Sequence, residues 1–229
     1  MEAPTDRNIS SSRMMGEASS ADAGTELDSL VATAGLEPLE PSQSSKFGAY
    51  LDLLLRWNAR MNLTAVRDRA GIMRRHFVES IACARFLRPD IESLLDFGSG
   101  AGFPGIPIAI CRSELSVTLA EAQTKKAAFL REAVRALELK CRIWSRRAEE
   151  LNEHFDCVVM RAVDRMEIAV AGAAELVRPG GCLGILTTEA CLTQLKLSAG
   201  SDFDWPSAVR LPGSEQRVLG LGSKRVSAR

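Results

Sequence analysis

The sequence is poor in residues that bind metals or form disulfides. Histidine occurs only at His76 and His154, and no two cysteines form a C-x-x-C pair. A structural zinc site or a disulfide framework needs such clustered ligands, so we expect neither. The six cysteines stand mostly among apolar neighbours, which predicts reduced, buried thiols. They are Cys83, Cys111, Cys141, Cys157, Cys182 and Cys191.

Net charge and long apolar runs are also missing. The 29 Lys and Arg residues balance 29 Asp and Glu residues, so total charge attracts neither nucleic acid nor membrane, and any RNA-binding surface has to be local. No run approaches the roughly 18 apolar residues that a membrane span requires. The N-terminus has no apolar stretch like that of a signal peptide. We therefore expect a cytoplasmic protein without membrane contacts, and in the absence of heptads a monomer.

What the sequence does contain divides into three parts. Residues 1–24 are rich in Ser, Ala, Asp and Glu and have few large apolar side chains, which predicts a disordered leader. Helical spacing of apolar residues predicts an N-terminal helical cap over 25–90, with one helix ending near Trp57 and another stopped by Pro89. Residues 91–229 form the core, and at this chain length we expect cap and core to make one compact domain.

From Ser93 onward, short apolar runs alternate with helical stretches, as in the βαβ units of a parallel sheet. The predicted strands are 93–97, 116–120, 141–145, 155–160 and 182–187. The predicted helices lie near 105–111, 124–138, 147–152 and 167–177, the last closed by residues 178–181. The tail is expected to end in a hairpin around Pro212-Gly213. This order predicts an α/β, doubly wound, Rossmann-like fold.

The strongest chemical signal is residues 94–105, LLDFGSGAGFPG, a strand that runs into a glycine-dense turn and then a helix. Glycine lets a backbone approach a ligand closely and adopt positive φ. The string fits the dinucleotide pattern G-x-G-x-x-G from Gly100, but Asp96 before Gly98 favours another register. A methyl donor has no phosphate and carries a zwitterionic amino acid on a nucleoside. The turn, with Gly98 and Gly100, is therefore a candidate site for a methyl donor such as S-adenosylmethionine (SAM), although the turn alone does not identify the cofactor.

Acidic residues at strand ends support this prediction. Asp96 suits a cationic amino group, directly or through water, although it can instead cap the turn. Glu121 ends the second strand and suits ribose hydroxyls, with a solvated glutamate as the alternative. Ala148 and Glu149 follow the third strand, where such folds contact adenine, and the alternative is a helix start with favourable carboxylates. Together the glycine turn and the strand-end acids predict an adenosine-type cofactor, and SAM is the one we expect.

At this point the sequence resembles the bacterial 16S rRNA guanine-N7 methyltransferases, the RsmG or glucose-inhibited division protein B family. The resemblance spans roughly residues 51–181. Its segments are Trp57-Asn58, Asn62-Leu63-Thr64, Arg75-His76, Ser80-Ile81, residues 96–107, Lys125-Lys126, Phe129-Leu130-Arg131, residues 147–150 and Arg161-Ala162. It implies SAM contacts at Gly98, Phe103, Ala148, Glu149 and Arg161. It also implies the substrate, a guanosine in the 530-loop region of 16S rRNA, nucleotide 527 in the family's numbering.

One position departs from the family pattern. Members commonly carry a Lys-Gly pair after the strand that here reads GILTT, and Thr187 stands in place of the lysine. Guanine N7 carries an in-plane lone pair without a proton, so it attacks a sulfonium methyl group without a general base. Proximity and alignment then supply most of the acceleration. Arg161 is our candidate for organising the substrate pocket, with an ion pair to Asp164 as the alternative.

RNA contacts are expected from local cationic residues near the site. The candidates are Arg75, His76, Lys125, Lys126, Arg147 and Arg165, with Arg67, Arg69, Arg74 and Arg146 nearby. A solvated helix face is the alternative for the arginines, and a satisfied core histidine is the alternative for His76. Two other functions stay open, a small-molecule methyltransferase or nicotinamide enzyme and a non-catalytic SAM or nucleotide binder. The single tyrosine, Tyr50, lies in the cap, which argues against a catalytic Tyr-Lys pair.

Overall fold

The computed structural model describes the backbone of residues 10–226 and side chains from residue 22 onward. Its N-terminal part is helical: α1 (Ser10–Thr33), α2 (Pro41–Met61), α3 (Arg69–Ile72), a π-helical turn (Met73–Phe77) and α4 (Val78–Phe86). Helix α2 begins at Pro41, whose missing N–H costs nothing in the first turn. The Gln43 side chain accepts a hydrogen bond from the Glu40 N–H at 3.0 Å, which helps to fix that start.

The disordered leader expected over residues 1–24 stays a prediction, and helix α1 overlaps it from residue 10 onward. Helix α1 begins at Ser10, and residues 1–9 lie outside the described part of the chain. Ala23, Leu27 and Val31 are buried and share one face of α1, which packs against α2. This apolar stripe begins within the supposed leader, and tertiary packing of the stripe stabilises the helix more than residue propensity does.

The rest of the described chain is built around one sheet of eight strands. The strands are β1 (Ser93–Phe97), β2 (Ser116–Ala120), β3 (Cys141–Trp144), β4 (Phe155–Arg161), β5 (Val177–Thr188), β6 (Phe203–Asp204), β7 (Val209–Arg210) and β8 (Arg217–Lys224). Their order is β3-β2-β1-β4-β5-β8-β6, and β7 also pairs with β8. Strands β1 to β5 are parallel, and β8 runs antiparallel to β5. The doubly wound α/β prediction is therefore confirmed.

Helices cover both faces of this sheet: α5 (Gly105–Cys111), α6 (Thr124–Ala136), α7 (Met166–Glu175), α8 (Glu189–Ser198) and a 3₁₀ turn (Ala148–Glu150). One hydrophobic cluster joins the cap helices, α5 and α6 to the sheet. A second cluster lies on the other face with α7 and α8. The division into leader, cap and core stays a prediction, although the first cluster packs residues of cap and core together.

Three local predictions need correction. Strand β5 begins at Val177 and includes residues 178–181, which were expected to close the preceding helix, because Val177 pairs with Phe155 of β4. The helix expected over 147–152 is the short 3₁₀ turn. Helix α8 and strand β6 were missed, since α8 buries only Leu192 and Leu195 and its pattern is weak. The hairpin prediction is confirmed by the antiparallel pairing of Val209 with Leu219.

The cysteines mostly follow the expectation of buried thiols. Four are buried, Cys141 is half-buried and Cys191 is exposed, and none of the six is in a disulfide. Within the part of the chain that the structure describes, no helix combines the length and apolarity that crossing a membrane demands.

Gly105 gives a test of how closely α5 packs on the sheet. An added Cβ would lie 2.4 Å from Leu119 Cδ2 and 2.5 Å from Asp96 Oδ2, so we expect Gly105→Ala to lower the free energy of unfolding by about 1–3 kcal/mol. Gly24→Ala in helix α1 is the control, since its Cβ would meet nothing closer than 3.4 Å. That substitution should stabilise by up to about 1 kcal/mol. Urea unfolding measures both, and equal effects would contradict this packing.

Candidate active site

A cavity of about 660 Å³ opens at the carboxyl ends of β1, β2 and β4. This is the place where a doubly wound sheet reverses its strand order and where such folds bind ligands. Its wall includes residues 98–101, Phe103, the loop 63–66, the strand-end segment 120–123, and residues 146–149 and 161–165. The volume falls within the range of cofactor and small-molecule sites.

The glycine-dense turn forms the floor of the cavity. Gly98, Gly100 and Gly102 have φ of +72°, +57° and +92°, a region that residues with a side chain rarely adopt. The Ser99 N–H donates to Ala120 O at 2.9 Å and joins the turn to the end of β2. From below, the Tyr50 hydroxyl donates to Ala101 O at 2.5 Å. The turn is thus held from two sides while its backbone faces the cavity.

Asp96 lies beneath this turn and not in the wall of the cavity. Its side chain is fully buried, and Oδ2 accepts a hydrogen bond from the Gly105 N–H at 3.1 Å. The second oxygen, Oδ1, has no hydrogen-bond partner. Burial raises the pKa of Asp96 to about 7, and the nearby Glu121 adds to the shift. The structure therefore shows the turn-capping contact, and contact with a cofactor amino group stays a prediction.

Glu121 lies in the cavity wall at the end of β2, as the sequence predicts. Its carboxylate accepts hydrogen bonds from the Gly100 N–H at 2.9 Å and from the Gln123 N–H at 2.7 Å. A carboxylate has about four acceptor positions, so two remain for ligand hydroxyls. Glu121 both orders the glycine turn and presents an acceptor to the cavity.

The segment after β3 lines the same cavity. The Trp144 indole N–H donates to Arg147 O at 2.8 Å, which fixes the backbone just before Ala148. Ala148 is buried and Glu149 is exposed, and both lie in the wall together with Phe103. The structure thus brings the predicted SAM residues together, apart from Asp96, whose side chain lies behind the turn.

Arg161 ends β4 in a buried charge cluster. Its Nη2 lies 3.0 Å from Glu79 Oε2 and donates to Arg75 O at 3.0 Å, while Arg217 Nε lies 2.7 Å from Glu79 Oε1. Arg161 therefore pairs with Glu79 and not with Asp164, the alternative partner expected from the sequence. Burial lowers the pKa of Arg161 to about 10 and raises the pKa of Glu79 against the opposing effect of the arginines. The desolvation penalty of this cluster is large, as for other buried ion pairs.

His76 lines the cavity as a neutral side chain. Its Nε2 lies 2.8 Å from Thr64 Oγ1, and its ring stacks on Phe103 with centroids 4.7 Å apart. Burial lowers the pKa of His76 to about 3, and Arg161, Arg75 and Arg217 lower it further by repulsion. Only Nε2 of the ring is hydrogen-bonded, since no partner for the buried Nδ1 lies among the described residues, and a role of His76 in RNA binding stays a prediction.

Asn58 holds the loop that carries Thr64. Its Oδ1 accepts from the Thr64 N–H at 2.9 Å, and its Nδ2 donates to Val66 O at 3.2 Å. Trp57 packs edge-on against Phe129 at 5.6 Å between centroids, as a core residue. These contacts give a structural reason for the Trp57-Asn58 and Asn62-Leu63-Thr64 segments of the motif set.

Cationic side chains predominate around the cavity although the whole chain is neutral. Seven line it, against three acidic ones: Arg75, Lys126, Arg146, Arg147, Arg161, Arg165 and Arg217, with Glu121, Glu149 and Asp164. Lys125 is exposed and lies outside the wall. The predicted RNA-binding residues Arg75, Lys126, Arg147 and Arg165 therefore surround one opening. A local positive potential of this kind attracts polyanions.

Comparison with known proteins agrees with this geometry. Residues 43–200 match the family model GidB, described as rRNA small subunit methyltransferase G. The chain belongs to this family. The protein named ribosomal RNA small subunit methyltransferase G in Chloroflexus aggregans is 38% identical over 200 residues, 82% of this chain and 84% of that one. The protein of that name in Xanthomonas oryzae pv. oryzae is 48% identical over 139 residues, 58% of this chain and 64% of that one.

A solved structure shows the same fold. The SAM-dependent methyltransferase of Aquifex aeolicus superposes with a TM-score of 0.57 at 14% sequence identity, covering 71% of this chain and 97% of that one. The resemblance to the family and the SAM-dependent methyltransferase fold are both confirmed. The individual site residues stay predictions.

Sequence reasoning missed two members of the site, Glu79 and Arg217. Glu79 stands between the motif residues Arg75-His76 and Ser80-Ile81, but its burial on α4 is visible only in the structure. Arg217 comes from β8, near the end of the chain, and only the sheet order brings it to the cavity. Thr187, which replaces the family lysine, lies half-buried on β5 opposite Val218 and outside the cavity wall.

The raised pKa of Asp96 predicts how stability depends on pH. An acid whose folded-state pKa is about 7 binds a proton more tightly in the folded protein than in the unfolded chain. Its contribution is full below about pH 4 and is lost as pH rises through about 7, by up to about 4 kcal/mol. We expect Asp96→Asn to remove this loss in urea unfolding from pH 4 to 8. Asp202→Asn, at an exposed site, should follow the wild type, and an unchanged Asp96→Asn profile would disprove the shift.

The buried cluster predicts a second effect on stability. In Glu79→Gln, Arg161 and Arg217 lose their buried counter-charge, and we expect the free energy of unfolding to fall by about 3–5 kcal/mol. Glu153 pairs with Arg142 at the surface, so Glu153→Gln is the matched control and should cost at most about 1 kcal/mol. Small and equal losses in chemical denaturation would show that the cluster adds nothing.

Proposed function

We propose that this protein transfers a methyl group from SAM to N7 of a guanine in 16S rRNA, nucleotide 527 of the 530-loop region. The observation that carries the proposal is one cavity that combines the glycine turn after β1 with a ring of cationic side chains. The first feature suits a nucleoside cofactor, and the second suits an RNA strand. Membership of the rRNA small subunit methyltransferase G family supports the substrate class.

The residues present fit SAM. The turn 98–102, with glycine at positions 98, 100 and 102, offers backbone to an amino-acid moiety, Glu121 offers acceptors to ribose hydroxyls, and Ala148 and Glu149 lie where adenine is expected. When bound, SAM supplies a methyl group activated on a positive sulfur. Asp96 Oδ1, for which the described residues supply no hydrogen-bond partner, lies beneath the turn and is the carboxylate oxygen that we propose for the cationic amino group.

The proposed methyl transfer does not require the protein to accept a proton from the base. Guanine N7 has no proton to lose, and the neutral His76 and the buried Tyr50 are already held by Thr64 and Ala101. The chain's task is to orient the base and exclude water. Arg161 and Arg217 are fixed by Glu79 at the cavity wall, where they are suited to hold guanine O6 while N7 stays free.

The RNA is expected to reach the site through the cationic ring. Binding should weaken as salt rises, because each neutralised phosphate releases counterions. A small-subunit particle or 16S rRNA is the proposed partner, and the protein is proposed to act in the cytoplasm as a monomer.

Substitution of Gly98 tests the cofactor site. A side chain there meets Val163 Cγ2 at 2.9 Å and a φ of +72°, so we expect Gly98→Asp to weaken SAM binding more than tenfold in calorimetry. Gly200→Asp is the matched control, because Gly200 has φ of +88°, open space around it and no place in the cavity wall. Unchanged SAM affinity in Gly98→Asp, or binding of NAD in place of SAM, would refute the site.

The modification itself tests the function. In a strain lacking this gene, digested 16S rRNA should lose 7-methylguanosine at the target nucleotide, and the wild-type gene should restore it. Gly98→Asp should fail to restore it and Gly200→Asp should succeed. Retention of 7-methylguanosine in the deletion strain would reject the RNA assignment and favour a small-molecule substrate or a non-catalytic binder.

A further inference from the structure

A second cleft, of about 530 Å³, adjoins the candidate active site. It is lined by Arg74, Arg75, Glu79, Thr188 and residues 213–217. Arg75 and Arg217 belong to both walls, so the two spaces meet at these side chains. We propose that this cleft binds a phosphate group of the RNA strand that carries the target guanine. The proposal rests on the proposed function, since the first cavity has to receive the base.

The floor of the cleft presents positive charge. The Glu79 side chain is 2% exposed and is held by both Arg161 and Arg217, whereas the Arg217 side chain is 18% exposed. A ligand in the cleft therefore meets a guanidinium and not the carboxylate behind it. Arg161 Nη1 is buried in the same cluster without a hydrogen-bond partner. Fixed guanidinium groups are well suited to phosphate oxygens.

The rim of the cleft adds exposed positive charge on one side. Arg74 and Arg75 are exposed on the π-helical turn, and among the ion pairs of residues 22–226 neither appears. Across the cleft lies the loop before β8, in which Ser214 Oγ accepts from the Gln216 and Arg217 N–H groups at 3.3 and 3.1 Å. This loop also brings Glu215, an exposed acid, to the rim. Glu215 therefore repels an anion in the cleft, whereas Arg74 attracts it.

The shared wall favours a strand over a separate small ligand. A base in the first cavity has a phosphodiester on each side, and Arg75 and Arg217 line the boundary at which the second cleft can receive one of them. Each phosphate contact to a single strand contributes about 0.7 to the slope of log affinity against log salt. Arg74, which lines only the second cleft, therefore reports on this contact separately from the first cavity.

The test is binding to small-subunit particles from a strain lacking this gene, measured at several salt concentrations. We expect Arg74→Gln to weaken binding and to reduce the salt slope by about 0.7. Glu215→Gln should strengthen binding at low salt. Arg135→Gln is the matched control, an exposed helical arginine that lines neither cleft, and it should keep the wild-type slope. SAM calorimetry on each variant establishes that the first cavity is intact.

A wild-type slope in Arg74→Gln would overturn the proposal, as would equal slope losses in Arg74→Gln and Arg135→Gln. Loss of adenosine monophosphate binding in Arg74→Gln, with RNA binding unchanged, would assign the cleft to a free nucleotide and also overturn it. If the particles bind with the expected slopes but receive no methyl group, the proposed function fails while the phosphate site stands. If methylation occurs and the slopes do not differ, only the phosphate site fails.

Discussion

The turn after β1 needs glycine at positions 98, 100 and 102, where φ is positive, and the rest of the site depends on this constraint. Beneath it, Asp96 and Tyr50 bind its backbone through Gly105 and Ala101. Beside it, Glu121 and Ala120 join it to β2. These contacts within the protein hold the turn, so ordering it when a ligand binds costs little free energy. The cap supplies Tyr50, which makes the N-terminal helices part of the site.

Positive charge is concentrated around the cavity although the whole chain is neutral. Among the described residues of this neutral chain, seven cationic side chains surround one opening, and two of them pair with the buried Glu79, which leaves the trio with a net positive charge. Desolvation makes such a cluster costly, and replacing it with apolar residues can stabilise a protein. Its position between the cavity and the second cleft suggests that it serves to position Arg161 and Arg217. The net charge of the chain, which is zero, does not reveal this cationic surface.

The sequence predicted the features that depend on local pattern. The strands β1 to β4, the turn and the strand-end Glu121 follow from apolar runs and glycine spacing, because they are local in the chain. Contacts between segments that are distant in the chain could not be predicted from the sequence. Nothing near Arg161 pointed to Glu79, and nothing near Arg217 pointed to a cavity formed by β1 and β4. Asp96 was assigned to the cavity because its position at a strand end is visible in the sequence, whereas its burial beneath the turn is not.

A crystal structure with S-adenosylhomocysteine, the product form of the cofactor, examines the central claim most directly. We expect its amino-acid moiety against the turn 98–102, its ribose at Glu121 and its adenine beside Ala148. Density for the ligand at any other place, or side chains filling the cavity so that none binds, would show that the turn does not hold the cofactor.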